Sequence, residues 1–175
     1  MPELHPQVRQ LLFTRSEFKR GLRGLTPADA AHRFLPMNCI SWNIGHLAWQ
    51  EQRYFIYYSR PPSERRLPFQ EIDAAFASGA PASNPPLAEV LRTWEQITAL
   101  ADGWLHTVTT ADLQASVLNK DGLPGKRIFG SLLQRTIYHY WLHTGENAAI
   151  RQMLGHTRLP QFVGNIDEKA PYIPA

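Results

Sequence analysis

Residues 41–59 read SWNIGHLAWQEQRYFIYYS, and the fold turns on what this stretch becomes. Apolar side chains fall on most of the circumference of a helical wheel, so a helix here must be packed on more than one side. Asn38 or Ser41 can accept a hydrogen bond from a free amide of the first turn. At the other end, Pro61-Pro62 cannot supply the amides that continuation past Ser59 requires. Such a helix needs partners, and the chain offers three.

Upstream, Val8, Leu11, Leu12, Arg15, Phe18 and Leu22 recur at spacings of three and four, which predicts a helix over Leu4 to Arg23. Gly21 and Gly24 weaken its end, and Thr26-Pro27 opens a short turn. Downstream, Leu87, Val90, Leu91, Trp94, Ile97, Ala101, Trp104 and Val108 trace one apolar stripe behind Pro86. A last helix is predicted over Ser131 to Leu154, stopped by Gly155 at the position where positive φ is common.

Between the second and third of these helices, residues 60–86 turn to proline, serine, alanine and glycine, with six prolines. That length suits a crossover from one end of a bundle to the other, and QEIDAAFA within it predicts a short helix. Residues 109–130 form a connector carrying the turn-rich NKDGLPGK, with room for some extended structure. The expected architecture is all-α: a four-helix bundle with a long crossover between helices 2 and 3. We read residues 1–175 as a single domain, with 156–175 as a C-terminal tail that packs Phe162, Val163 and Ile166 on the bundle.

Composition narrows the function. A lone cysteine, Cys39, rules out an intrachain disulfide and a multi-thiolate zinc site, and it fits a reducing, cytoplasmic setting. No stretch approaches the roughly 20 apolar residues of a membrane span, so no membrane partner is expected. Lys and Arg total 18 against 15 acidic residues, a formal charge of +3. These cations are scattered, with the densest group at Arg60, Arg65 and Arg66, so no nucleic-acid partner is expected either.

The chemistry-bearing pattern is histidine. In YHYWLHTGE, His139 and His143 are four residues apart and share one helix face. Two imidazoles at that spacing can converge on one ion, although Tyr140 stands where a zincin would place its glutamate. His46, flanked by Ile44, Leu47, Ala48 and Trp49, lies in the helix predicted to be buried, where each ring nitrogen needs a partner. Coordination supplies one; a hydrogen bond to a polar core residue is the competing account, with His139 and His143 then facing solvent.

The segments NCISWNIGHLAWQEQRYF and HYWLHTGENAAIRQMLGH carry a resemblance to the DinB-like family, also called DinB/YfiT, over most of the chain up to Gly155. The resemblance implies a four-helix bundle with a crossover between its second and third helices. It also implies a divalent transition metal ion (nickel, zinc, manganese or iron) held by His46 in Ile44-Gly45-His46-Leu47 and by His139 and His143. Where the family often has Gly-Gln, this chain has Gly145-Glu146. The carboxylate of Glu146 lies near the pair's face and is a candidate fourth ligand, ligand-orienting acceptor or catalytic proton carrier, as against a solvated glutamate. Family members with known activity are thiol-transfer enzymes, so the resemblance implies a small-molecule thiol and an electrophilic substrate. A metal-dependent hydrolase, with Glu146 or Glu51 as base, and a non-catalytic metal-binding stress-response or interaction protein are the alternatives; a homodimer is a further expectation.

Helix phase adds Trp42, Asn43, Trp49, Gln50 and Arg53 near the His46 face, and Thr136 and Tyr140 near the His139 face. Arg53 can hold an anionic substrate group or extend to solvent. Cys39 is expected to be a small hydrophobe near the start of the second helix rather than a nucleophile.

Overall fold

The computed structural model describes residues 4–173. Four long helices make the bundle: α1 (Pro6–Gly21), α3 (Ile40–Glu51), α5 (Leu87–Leu105) and α7 (Phe129–Met153). Short helices connect them: α2 (Pro27–Ala31), α4 (Gln70–Phe76), α6 (Thr110–Gln114) and, near the C-terminus, α8 (Ile166–Lys169). α1 packs on α7, α3 packs on α5, and α3 also meets α7 and α4. No helix among the described residues is long and apolar enough to cross a membrane.

Local chemistry explains where the helices begin and end. His5 caps α1, its Nδ1 accepting from the Gln7 amide, with Pro6 at the first helical position. α3 is capped by neither Asn38 nor Ser41 but by Cys39, whose Sγ accepts from the Trp42 amide at 3.4 Å. Ser41 is itself inside the first turn, two residues past the cap position. After Glu51 the same rod continues as a π-helix over Gln52–Tyr57, where the Tyr58 amide reaches back to Arg53 O. Gly155, at φ +85°, follows α7 as a left-handed stop.

Residues 109–130 hold more structure than a connector: α6, then an antiparallel hairpin of β1 (Ser116–Leu118) and β2 (Pro124–Ile128). Asn119 closes its turn by accepting from the amides of Asp121 and Leu123. In the tail, Phe162 lies against Gly21 and beneath the Arg20 guanidinium, and Ile166 is half-buried. Val163 is exposed, contrary to expectation, because the chain turns it outward between these two contacts. Among the described tail residues, Ala170 is the one that is fully covered.

The bundle core contains a polar network with one member or more from each long helix. Arg15 of α1 donates through Nε to Glu51 Oε1 at 2.7 Å and through Nη2 to Glu51 Oε2, while its Nη1 pairs with Asp102 of α5. Tyr140 of α7 donates to Glu51 Oε1 at 2.6 Å and accepts from Trp94 Nε1 of α5 at 2.6 Å. Glu51 and Tyr140 have no exposed surface. Every charge here meets an opposite charge or a donor, the condition under which buried ions are tolerated.

The crossover is held along α3 from one end of α4 to the other. The Gln52 side chain exchanges two hydrogen bonds with the Phe69 backbone, at 2.8 and 3.0 Å. Trp49 Nε1 and Arg53 Nη1 both donate to Asp73 Oδ1, and Ile72 and Phe76 are buried beneath.

Candidate metal centre

His46 is carried by the middle of α3, in the stretch from Ile40 to Ala48 that is buried throughout. Its ring stacks on Trp42, with centroids 4.8 Å apart, and on Trp49, at 5.1 Å, so the indoles four residues before and three after fix the imidazole plane. Nδ1 donates to the carbonyl oxygen of Phe76, the last residue of α4, at 2.7 Å. That contact depends on Gly45, because a Cβ there would lie only 2.5 Å from the Phe76 ring. The Gly-His pair thus lets the crossover close on α3 and present a carbonyl to the histidine.

His139 and His143 project from successive turns of α7 toward the same point. The His46 ring centroid is 4.9 Å from that of His139 and 5.5 Å from that of His143, and the two α7 rings are 4.5 Å apart. One ligand-capable nitrogen from each of the three lies within 4.8 Å of the others. His143 Nδ1 donates to Glu146 Oε2 at 2.6 Å, which leaves Nε2 with a free lone pair facing His139 Nε2 at 2.9 Å. In His46, likewise, the Phe76 carbonyl occupies Nδ1 and leaves Nε2 as the available donor atom. His139 Nδ1 is buried with no hydrogen-bond partner.

A family profile for the DinB superfamily matches residues 10–146, a span that takes in most of α1, all of α3 and α5, the three histidines and Glu146. The chain belongs to the DinB superfamily. No protein with a curated description matches it. Membership agrees with the bundle and the crossover, both of which stand on the geometry alone.

The electrostatics of this DinB-superfamily cluster favour uncharged imidazole at His46 and His139. Burial, reinforced by the neighbouring histidines and Arg135, pushes His139 down to about 3. Burial also lowers His46, more than the Phe76 carbonyl restores. Glu146 is held below the ordinary carboxylate range by its bond to His143, and Asn43 Nδ2 approaches the same oxygen at 3.4 Å. Neutral rings beside a neighbouring anion are the protonation states in which imidazole donates to a metal.

The cluster opens onto a cleft of about 610 Å³, bordered by Trp49, Gln50 and Tyr54 from the α3 rod, Ser78 from the crossover, and Ser131, Gln134, Arg135, Tyr138 and Leu142 from α7. Of the side chains expected near the site, Trp49 and Gln50 line the cleft, Trp42 backs His46, and Asn43 is buried against Asn147. Arg53 instead pairs with Asp73 and does not border the cleft. Thr136 and Tyr140 also lie elsewhere: they belong to the buried stripe of α7, where Thr136 bonds to Leu132 O and Tyr140 to Glu51. The face that borders the cleft is offset from theirs, and helical spacing from His139 points to Arg135 and Leu142 on it. Phe76, acting through its backbone carbonyl, carries no such signal.

Two other expectations are corrected or sharpened. Glu51 is sequestered by Arg15 and Tyr140 and offers no base to the cleft. Cys39 has no exposed surface, burial pushes its thiol up, and its Sγ also donates to Ser83 O, so it serves as a cap and a hydrophobe.

Proposed function

We propose that this DinB-superfamily protein holds one divalent transition metal ion through His46, His139 and His143, and uses it to activate a low-molecular-weight thiol for attack on an electrophile. The observation that carries the metal reading is the convergence of three imidazoles: those of His46 and His143 are buried with Nδ1 already committed to an acceptor, and that of His139 is half-buried. A divalent ion with three neutral ligands keeps its full positive charge and acidifies a coordinated thiol.

The chain's own residues account for the rest. Trp42 and Trp49 keep the His46 plane fixed, the Phe76 carbonyl and Glu146 hold the ligand tautomers, and the 610 Å³ cleft gives a small substrate access to one side of the cluster. The cleft lining contains no carboxylate and no cysteine. That composition favours a nucleophile brought in by a cosubstrate over a protein nucleophile or a hydrolytic base. An accessible cleft beside the cluster likewise favours catalysis over a purely structural ion.

Two measurements test the proposal separately. Elemental analysis of protein purified without an affinity metal column is expected to give about one transition ion per chain, lost on replacing any one of the three histidines with alanine. Full retention in each single variant overturns the metal reading. Consumption of an electrophile is then followed with glutathione, coenzyme A, bacillithiol and mycothiol, in loaded and stripped protein. Metal-dependent loss of thiol is the expected result, whereas ester or amide cleavage without it replaces thiol transfer with hydrolysis.

A further inference from the structure

The π-helical end of the α3 rod walls a second cleft, of about 350 Å³, together with Arg65 of the crossover and the β1–β2 hairpin. Its lining includes Arg53, Arg65, Lys120, Lys126 and Arg127 and no carboxylate. Cations that are dispersed in the sequence are therefore gathered here by the fold. Among the described residues only Arg53 of these five has an acidic partner, Asp73. Asp121, in the hairpin turn, does not line the cleft.

Arg65 is the informative member. It is 8% exposed, yet its hydrogen bonds go to neutral groups: Nε to Arg60 O at 3.1 Å and Nη2 to Leu118 O at 2.9 Å. Its guanidinium also lies over the Tyr57 and Tyr58 rings, at 5.5 and 5.4 Å from their centroids. Nη1 has no protein partner among the described residues. A buried guanidinium oriented by carbonyls and rings, with no counter-charge, carries a desolvation penalty that an incoming anion relieves. Arg127 stands over the same Tyr58 ring at 5.2 Å, which brings a second fork of N–H donors to the cleft.

We infer that this cleft is a binding site for a small anion bearing a phosphoryl or carboxylate group, recognised by Arg65 and Arg127 with Lys120 and Lys126 adding charge. The four cations converge on one concavity rather than tracking along a face, which favours a compact anion over a nucleic-acid backbone. The same stretch of rod walls both clefts: Trp49 and Tyr54 border the histidines, while Arg53 lies 5.9 Å from the Trp49 ring and Tyr58 lies 6.3 Å from Tyr54. The inference does not depend on a metal at the histidines.

The test is a titration of the full-length protein with inorganic phosphate and, separately, succinate at constant ionic strength, followed through the arginine Nε–H resonances and the histidine ring resonances. Saturable shifts of the Arg65 and Arg127 signals are expected, with the Arg92 signal on exposed α5 surface unmoved. The anion that saturates at the lower concentration names the preferred group. Lys126 and Arg127 are both exposed, so the K126A/R127A double variant leaves the fold intact, and it is expected to weaken binding by about tenfold or more. R65K, which keeps the charge and removes the fork, is expected to weaken it as well. Shifts that never saturate, affinity unchanged in K126A/R127A, shifts confined to the histidine rings, or binding of a single-stranded oligonucleotide but neither small anion would each overturn the inference.

Discussion

Glu146 stands one turn beyond His143 on α7, and its Oε2 accepts the His143 Nδ1 proton at 2.6 Å. The bond decides which imidazole nitrogen of His143 turns toward His139, and it raises the basicity of that nitrogen. Replacing Glu146 with alanine is expected to lower metal affinity by about 10–100-fold, measured by competition with a chromogenic chelator. Glu146→Gln keeps an acceptor oxygen and loses less. Equal affinity in all three proteins would remove Glu146 from the centre.

Gly45 is expected to tolerate no side chain. The Cβ of Gly45→Ala would sit 2.5 Å from the Phe76 ring, so α4 has to move and take the Phe76 carbonyl away from His46. The expected loss of stability is about 1–3 kcal/mol by urea denaturation, as for other overpacked sites, accompanied by weaker metal binding. A variant as stable as the parent would show that α4 closes on α3 by some other route.

The Arg15–Glu51 pair is expected to matter for folding rather than for chemistry. Burial works against the Arg15 charge, but Glu51 more than offsets it, so the arginine is held more firmly protonated than usual. Arg15→Ala leaves the Glu51 carboxylate without its cation in the core, and about 3–5 kcal/mol of stability is expected to go. Chemical denaturation reads this directly. A loss under about 1 kcal/mol would mean that water or a neighbour replaces the guanidinium.

Acid is expected to destabilise the metal-free protein earlier than carboxylate titration alone would do. His46 and His139 are lowered in the folded state, His139 to about 3, so between that value and the unfolded value of about 6.5 the unfolded chain binds more protons. Their stabilising contribution is complete above about pH 6.5 and is lost as the pH falls toward 3. Melting temperatures of stripped protein should decline through this window, with a shallower slope in His139→Ala. Identical slopes would place the acid sensitivity elsewhere.

Much of this was legible in the amino-acid sequence because helices announce themselves by period. The apolar stripe of α5, the all-round apolar character of α3 and the proline-rich crossover follow from spacing and composition, and His139 and His143 from their four-residue separation. His46 stands out by its apolar setting, and the family resemblance decides for it as their partner over a core hydrogen bond. What could not be read is what depends on backbone atoms or on long-range packing. Phe76 contributes a carbonyl, to which its side-chain identity gives no clue, and Tyr140 lies beside His139 in sequence but faces the core. Glu51 reads as a candidate base from sequence alone, whereas Arg15, from another helix, occupies it. Arg65 and Arg127 are separated in the chain by α4, α5, α6 and β1 and meet only because the hairpin folds back on the crossover.

The carbonyl that ends α4 and orients His46 ties two events together. Seating the ion proposed for the histidines and seating the 60–86 segment would then be reciprocal: each would strengthen the other by the same factor, whichever came first. Limited proteolysis within that segment should therefore slow when zinc or nickel is supplied, and a nick there should release the ion, so that a stretch of chain with no ligand of its own acts as the latch of the centre.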